Sequence, residues 1–112
     1  RIVSELDLKN GLIHLFVMHT TCGVTINENA DPSVIQDLLH RLELLAPWEN
    51  GTDLHQEGNS AAHLKSTLMG SSVTIPVSEG KLVLGRWQGL FLGEFDGPRT
   101  RSIYCTALHS YR

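Results

Sequence analysis

Apolar and polar positions follow two different periods along this chain. Leu12 to Met18 (LIHLFVM) is a nearly unbroken apolar run, short and free of turn residues. It predicts a strand buried on both faces. Asn10-Gly11 precedes it as a turn dipeptide, because both residues tolerate positive φ. From His19 to Asn29 the chain reads as extended, with Val24, Thr25 and Ile26 favouring β. The period then changes. Asp31-Pro32 predicts a helix start, the carboxylate capping free amides and proline suiting the first helical position. Val34, Ile35, Leu38, Leu39, Leu42 and Leu45 form one apolar stripe, with Gln36, Asp37, Arg41 and Glu43 facing away. Pro47 stops this helix near Leu45. Residues 48–60 are a polar loop. Ser60 is predicted to cap a short helix, Ala61 to Met69, closed by Gly70 in a left-handed conformation.

Alternation returns after that helix. Val73, Ile75 and Val77 predict a strand that Glu79-Gly80 turns into Lys81–Leu84. Gly85 marks a bulge or close approach before a strand from Trp87 to Phe95. Asp96-Gly97-Pro98 turns the chain into a last strand, Arg101 to His109. Ile2, Val3, Leu6 and Leu8 have a loose helical spacing ahead of all this. The order predicts an α+β fold over residues 1–112 as one domain. It is a largely antiparallel β-sheet or sandwich with two helices, not an alternating βαβ nucleotide-binding fold.

At 112 residues the chain holds one core. A net charge of −3 provides no basic footprint for nucleic acid or an anionic membrane. No apolar run approaches the ~20 residues of a membrane span. Two Cys make no disulfide framework, which points to a reducing, cytoplasmic setting. Histidine changes the picture. Six His stand beside three Phe, two Tyr and two Trp, more imidazole than packing requires.

Candidate chemistry gathers in two stretches. HTTCGVTINENADP, from His19 to Pro32, packs His19, Asn27, Glu28, Asn29 and Asp31 into a segment leading to a helix N-terminus. Irregular polar backbone beside a strand end is where binding groups concentrate; the alternative is a capped helix preceded by solvated residues. HQEGNSAAH, from His55 to His63, brackets a turn with two imidazoles near a second helix start. That suits a metal ligand or a phosphate contact, although the spacing matches neither HExxH nor a zinc finger. Cys22 reads as packing or as a nucleophile beside His19, and Cys105 as packing. Gly85 to Gly89 (GRWQG) lacks the following helix of a phosphate loop. Arg99 and Arg101 are solvated charges or, together, an anion grip. His14 reads as core or interface, His40 as helix surface, and His109 carries no readable role.

HTTCGVTINENADPSVIQDL, followed by HLKSTLMGSSVTIPVSEGKLVLGRWQGLFLGEFDGPRTRSI, closely resembles the YjbQ family, often catalogued as secondary thiamine-phosphate synthase. The resemblance runs from about Gly11 to Tyr104 and rests on three blocks in order. These are HTT…INENADP, H…AHLKSTLMG and LGRWQG. It implies a small α+β protein, a homotrimer with pockets between subunits, and a polar cluster at His19, Asn27, Glu28, Asn29, His55, His63, Trp87 and Gln88. Arg101 matches the family's basic residue before the last strand. Family members usually begin with further strands ahead of residues 1–8, so the resemblance also implies a chain lacking them; the first residue is Arg rather than Met. Where many members carry Ser or Ala, this chain has Cys22, which argues against an obligatory hydroxyl there.

The activity so implied joins hydroxymethylpyrimidine diphosphate to thiazole phosphate and releases pyrophosphate. On this reading Glu28, His55, His63 and Gln88 are catalytic. Asn27, Asn29, Trp87 and Arg101 bind substrate or anion, and His19, His55 and His63 hold a divalent metal. Oxygen-rich ligation suits magnesium, and three imidazoles with an open position suit zinc. The partner is a small phosphorylated metabolite. The alternatives are a metal-dependent hydrolase of such a metabolite, or a non-enzymatic trimeric metal- or ligand-binding protein.

Overall fold

In the computed structural model, residues 2–110 are described; Arg1, Tyr111, Arg112 and the side chain of Ile2 lie outside that description. Among the described residues two antiparallel sheets and three helices make the predicted α+β fold; the helix beyond the two expected is α1 (Ile2–Glu5), at the loosely helical spacing ahead of the first strand. Strand β1 (Gly11–Val17) lies between β3 (Ser72–Ser78) and β6 (Ile103–His109), and β4 (Lys81–Leu82) extends the sheet beyond β3. A two-residue turn joins β3 to β4, since Ser78 pairs with Lys81. Glu79 and Gly80 have φ of 52° and 74°, the left-handed pair that matches hairpin twist. Strands β2 (Cys22–Glu28) and β5 (Gln88–Glu94) form a separate ribbon.

The apolar run of β1 is covered on one face only, which corrects the expectation of a strand buried on both sides. Ile13, Leu15 and Val17 are buried, and with Val3, Leu8, Ile75 and Val77 they make most of the core. Leu12 and Phe16 point the other way and stay exposed. Directly paired residues share a face, so Leu12 stands beside Leu108, and Phe16 beside Tyr104, both also exposed. His14 crosses the middle of this face, Nδ1 lying 2.8 Å from Thr74 Oγ1. The imidazole is satisfied by a neighbour rather than buried.

Helix α2 (Pro32–Leu45) begins as predicted, Asp31 Oδ1 accepting the Ser33 N–H at 2.9 Å. Its apolar stripe, however, buries no residue. Glu43 ties it to Lys65 of α3 (Ser60–Met69) at 2.5 Å. Helix α3 does pack, laying Ala61, Ala62, Lys65 and Ser66 inward. Its end sits over the paired glycines Gly23 and Gly93. A Cβ on Gly23 would come within 3.0 Å of Met69 Cβ, and one on Gly93 within 2.6 Å of Met69 Sδ. Two adjacent residues without side chains therefore make the floor on which α3 rests. The cap differs from expectation: Asn59, not Ser60, precedes the helix, and its side chain makes no cap bond. Asn59 Nδ2 donates to Asp96 Oδ2 at 2.7 Å, while its Oδ1, the atom that would cap, is buried without a hydrogen-bond partner among the described residues.

Candidate functional site

The extended reading of residues 19–29 breaks where the chain leaves β1. Val17 N–H donates to Ser71 O at 2.7 Å, and residues 18–21 then cross over before β2 begins. His19 lies in this crossing. Its Nε2 accepts the Ser102 N–H at 2.7 Å, so the neutral ring carries its proton on Nδ1 and presents a donor there. Helix α3 brings in His63, and the loop before it brings in His55. The two rings meet edge-on, centroids 5.4 Å apart. His19, His55 and His63, with Thr20, Asn59, Arg99 and Arg101, line one hollow of about 440 Å³. Three imidazoles separated by up to 44 positions are thus gathered by tertiary structure. Glu57 stands at the rim, 3.9 Å from His55 Nε2.

Of the two arginines, Arg101 is the more committed. It grips Glu94 with two nitrogens, Nε at 2.6 Å from Oε1 and Nη2 against Oε2. Nη2 also donates to Thr21 O at 3.1 Å and Thr21 Oγ1 at 2.9 Å. Its side chain is 9% exposed. These hydrogen bonds hold the Glu94 carboxyl at about 2, far below the usual carboxylate range, despite partial desolvation. Its guanidinium thereby joins β5, the segment leading to β6 and the crossing segment, and it also lines the hollow. Arg99 is the available cation. It holds Asp96 through Nε to the backbone O at 2.8 Å and Nη2 to Oδ2 at 2.9 Å. Its side chain is half exposed, whereas that of Arg101 is nearly covered. Asp96 is held below its usual range first by Asn59 and then by Arg99. Asn59, buried and central to this network, escaped the sequence reading, which saw only a turn residue.

The remaining expected site residues lie elsewhere. Glu28 pairs with Gln88 at one end of the β2–β5 ribbon, and Cys22 with Glu94 at the other. Six residue steps at about 3.3 Å each place Glu28 about 20 Å from the Cys22 end, where Thr21 and the arginines stand. Asn27 Oδ1 accepts the Glu28 N–H at 2.7 Å, and Asn29 N–H donates to Trp87 O at 2.7 Å. Gln88 Oε1 folds back onto the Gly85 N–H at 2.7 Å. Arg86 stacks 4.9 Å from the Trp87 ring centroid. One chain therefore does not unite Asn27, Glu28, Asn29, Trp87 and Gln88 with the three histidines. Nor, among the described residues, do three His, Cys, Asp or Glu side chains converge as a metal-holding group. The lone pair of His19 Nε2 is already taken by Ser102. Cys22 is 1% exposed, and burial pushes its thiol up, the environment of a packing residue.

Among the described residues, no helix is long and apolar enough to cross a membrane. The family model described as UPF0047 protein YjbQ-like matches residues 1–110. The UPF0047 protein YugU of Bacillus subtilis is 49% identical over 102 residues, 91% of this chain and 77% of its own. A UPF0047 protein of Methanocaldococcus jannaschii is 53% identical over 102 residues, 91% of this chain and 73% of its own. Among solved structures, a conserved hypothetical protein of Thermus thermophilus superposes with a TM-score of 0.91 at 52% identity, over 96% of this chain and 85% of its own. A YjbQ/UPF0047 protein of Clostridium acetobutylicum gives 0.89 at 48% identity, over 96% and 82%.

Proposed function

Because the chain belongs to the UPF0047 YjbQ-like family, we propose that it is a transferase acting on a small phosphorylated metabolite. Its reaction joins hydroxymethylpyrimidine diphosphate to thiazole phosphate. The thiazole nitrogen attacks the methylene carbon, a C–N bond forms as the C–O bond to diphosphate breaks, and the bonding pair leaves on the diphosphate oxygen. Such a displacement needs alignment and charge stabilisation more than a covalent intermediate. The observation that carries this reading is the donor set of the histidine hollow. Arg99 leaves half of its side chain exposed, His19 presents Nδ1–H, and α3 opens its N-terminus beside His63. Cation, neutral donor and helix end together favour a phosphate oxygen.

On the same reading the working unit is the homotrimer, and a neighbouring copy supplies the cluster of Glu28, Asn29, Trp87 and Gln88. Support comes from the separation of about 20 Å within one chain and from the uncovered stripe of α2.

Pyrophosphate release is the test. It is expected only when both substrates are present, and Arg99→Met is expected to lower the rate at least about tenfold, one lost charge-assisted contact. Release from the diphosphate alone overturns transfer in favour of hydrolysis. No release under any pairing, with purified protein of native fold, overturns both.

A further inference from the structure

A second hollow, also about 440 Å³, adjoins the first and shares His19, Thr20 and His63 with it. The two differ in charge. Both arginines line the first, whereas the second is completed by Cys22, Ser66, Thr67, Gly70 and Ser71, with no carboxylate, lysine or arginine. Each is within the size range of small-molecule sites. Ser66 is 8% exposed, and its Oγ is sealed from solvent without a hydrogen-bond partner among the described residues. A buried unpaired hydroxyl is costly to leave unmade and is able both to donate and to accept. An ionised group placed here would meet no opposite charge, whereas a neutral one with hydrogen-bonding edges would be matched.

We propose that the substrate lies across both hollows: its phosphate beside Arg99, its uncharged hydrogen-bonding portion against Ser66 and Thr67, and the bond that breaks between them at His63 and His19. This rests on the phosphate reading above and assigns the side of the site that reading leaves open. The division has a physical cause. His63 stands on α3 between the N-terminal turn, which faces the arginines, and the turn bearing Ser66 and Thr67. Thr67 is exposed, its Oγ1 donating to His63 O at 3.0 Å, so a larger side chain there fills the second hollow without entering the core.

The test compares two probes by calorimetry: inorganic pyrophosphate, which fills the arginine side alone, and hydroxymethylpyrimidine diphosphate, which spans both. Thr67→Phe is expected to weaken the ester at least about tenfold while pyrophosphate affinity stays within about twofold. Ser66→Ala, a smaller change, is expected to weaken the ester alone. Arg99→Met is expected to weaken both. If wild type binds pyrophosphate but the ester no more tightly, or if Thr67→Phe affects both probes equally, the two-hollow assignment is overturned and the phosphate reading stands. If wild type binds neither probe, the phosphate reading falls and the assignment with it.

Discussion

A single carboxylate shows how the site keeps its shape. Glu94 receives two nitrogens of Arg101, which also spans to Thr21, so one ion pair anchors the crossing segment that carries His19. The Glu94 carboxyl sits at about 2 when folded, against an ordinary value of 4.5. Its stabilising contribution is therefore fully present above about pH 4.5 and is lost as pH falls through about 2. Glu94→Gln is expected to lower the urea midpoint at pH 7. The gap to wild type should narrow below pH 4.5 and close near pH 2; a gap independent of pH would remove the ion pair from this role. Which arginine is enclosed by its ion pair and which stays half exposed was not legible in the sequence. Arg99 and Arg101 are two residues apart, and only the carboxylates they meet, Asp96 and Glu94, tell them apart. The histidines were legible as chemistry, because six exceed what packing uses, but not as one group.

At the level of elements, local signals were reliable wherever the cause was local. The Asp31 cap, the Glu79-Gly80 turn and the Gly70 end of α3 all appear, Gly70 at φ 105°. Each depends on neighbouring atoms. The Ser60 cap failed because the helix already includes Ser60, and Asn59 before it is held by Asp96, thirty-seven positions away, which accepts from its Nδ2. Close strand approach is a further nonlocal demand. Gly11 has φ 151°, and a Cβ there would lie 1.9 Å from Leu108 O. Gly11→Ala is expected to destabilise the fold by on the order of 3 kcal/mol, since a backbone clash cannot be relieved by a rotamer change. Guanidinium denaturation checks this. An unchanged midpoint would mean that β1 and β6 separate at that end without loss. The sequence marked Asn10-Gly11 as a turn, whereas the structure uses Gly11 as a paired strand residue, opposite both Val77 and His109.

For the whole molecule, the decisive fact is apolar surface left uncovered by the chain's own elements. The radius of gyration is 16.3 Å, where about 13 Å is usual for this length, because α2 buries none of its residues. Leu45 is 72% exposed and Leu44 70%, and each such side chain would contribute ~1.5–3 kcal/mol if covered. Leu38→Asp with Leu45→Asp is expected to leave the circular-dichroism spectrum intact. In analytical ultracentrifugation the variant should sediment as one chain and wild type as three. Wild type sedimenting as one chain would remove the trimer from the proposed function. The sequence by itself determined the elements, their α+β order, the amphipathic stripe of α2 and the presence of surplus imidazole, because these follow from spacing and short-range sterics. Tertiary structure alone decided which face of β1 is covered, that Arg101 clamps Glu94, and that Glu28 stands about 20 Å from the Cys22 end while His19, His55 and His63 share a hollow. Those outcomes depend on which strand pairs with which, and strand pairing joins residues whose separation along the chain carries no local signal.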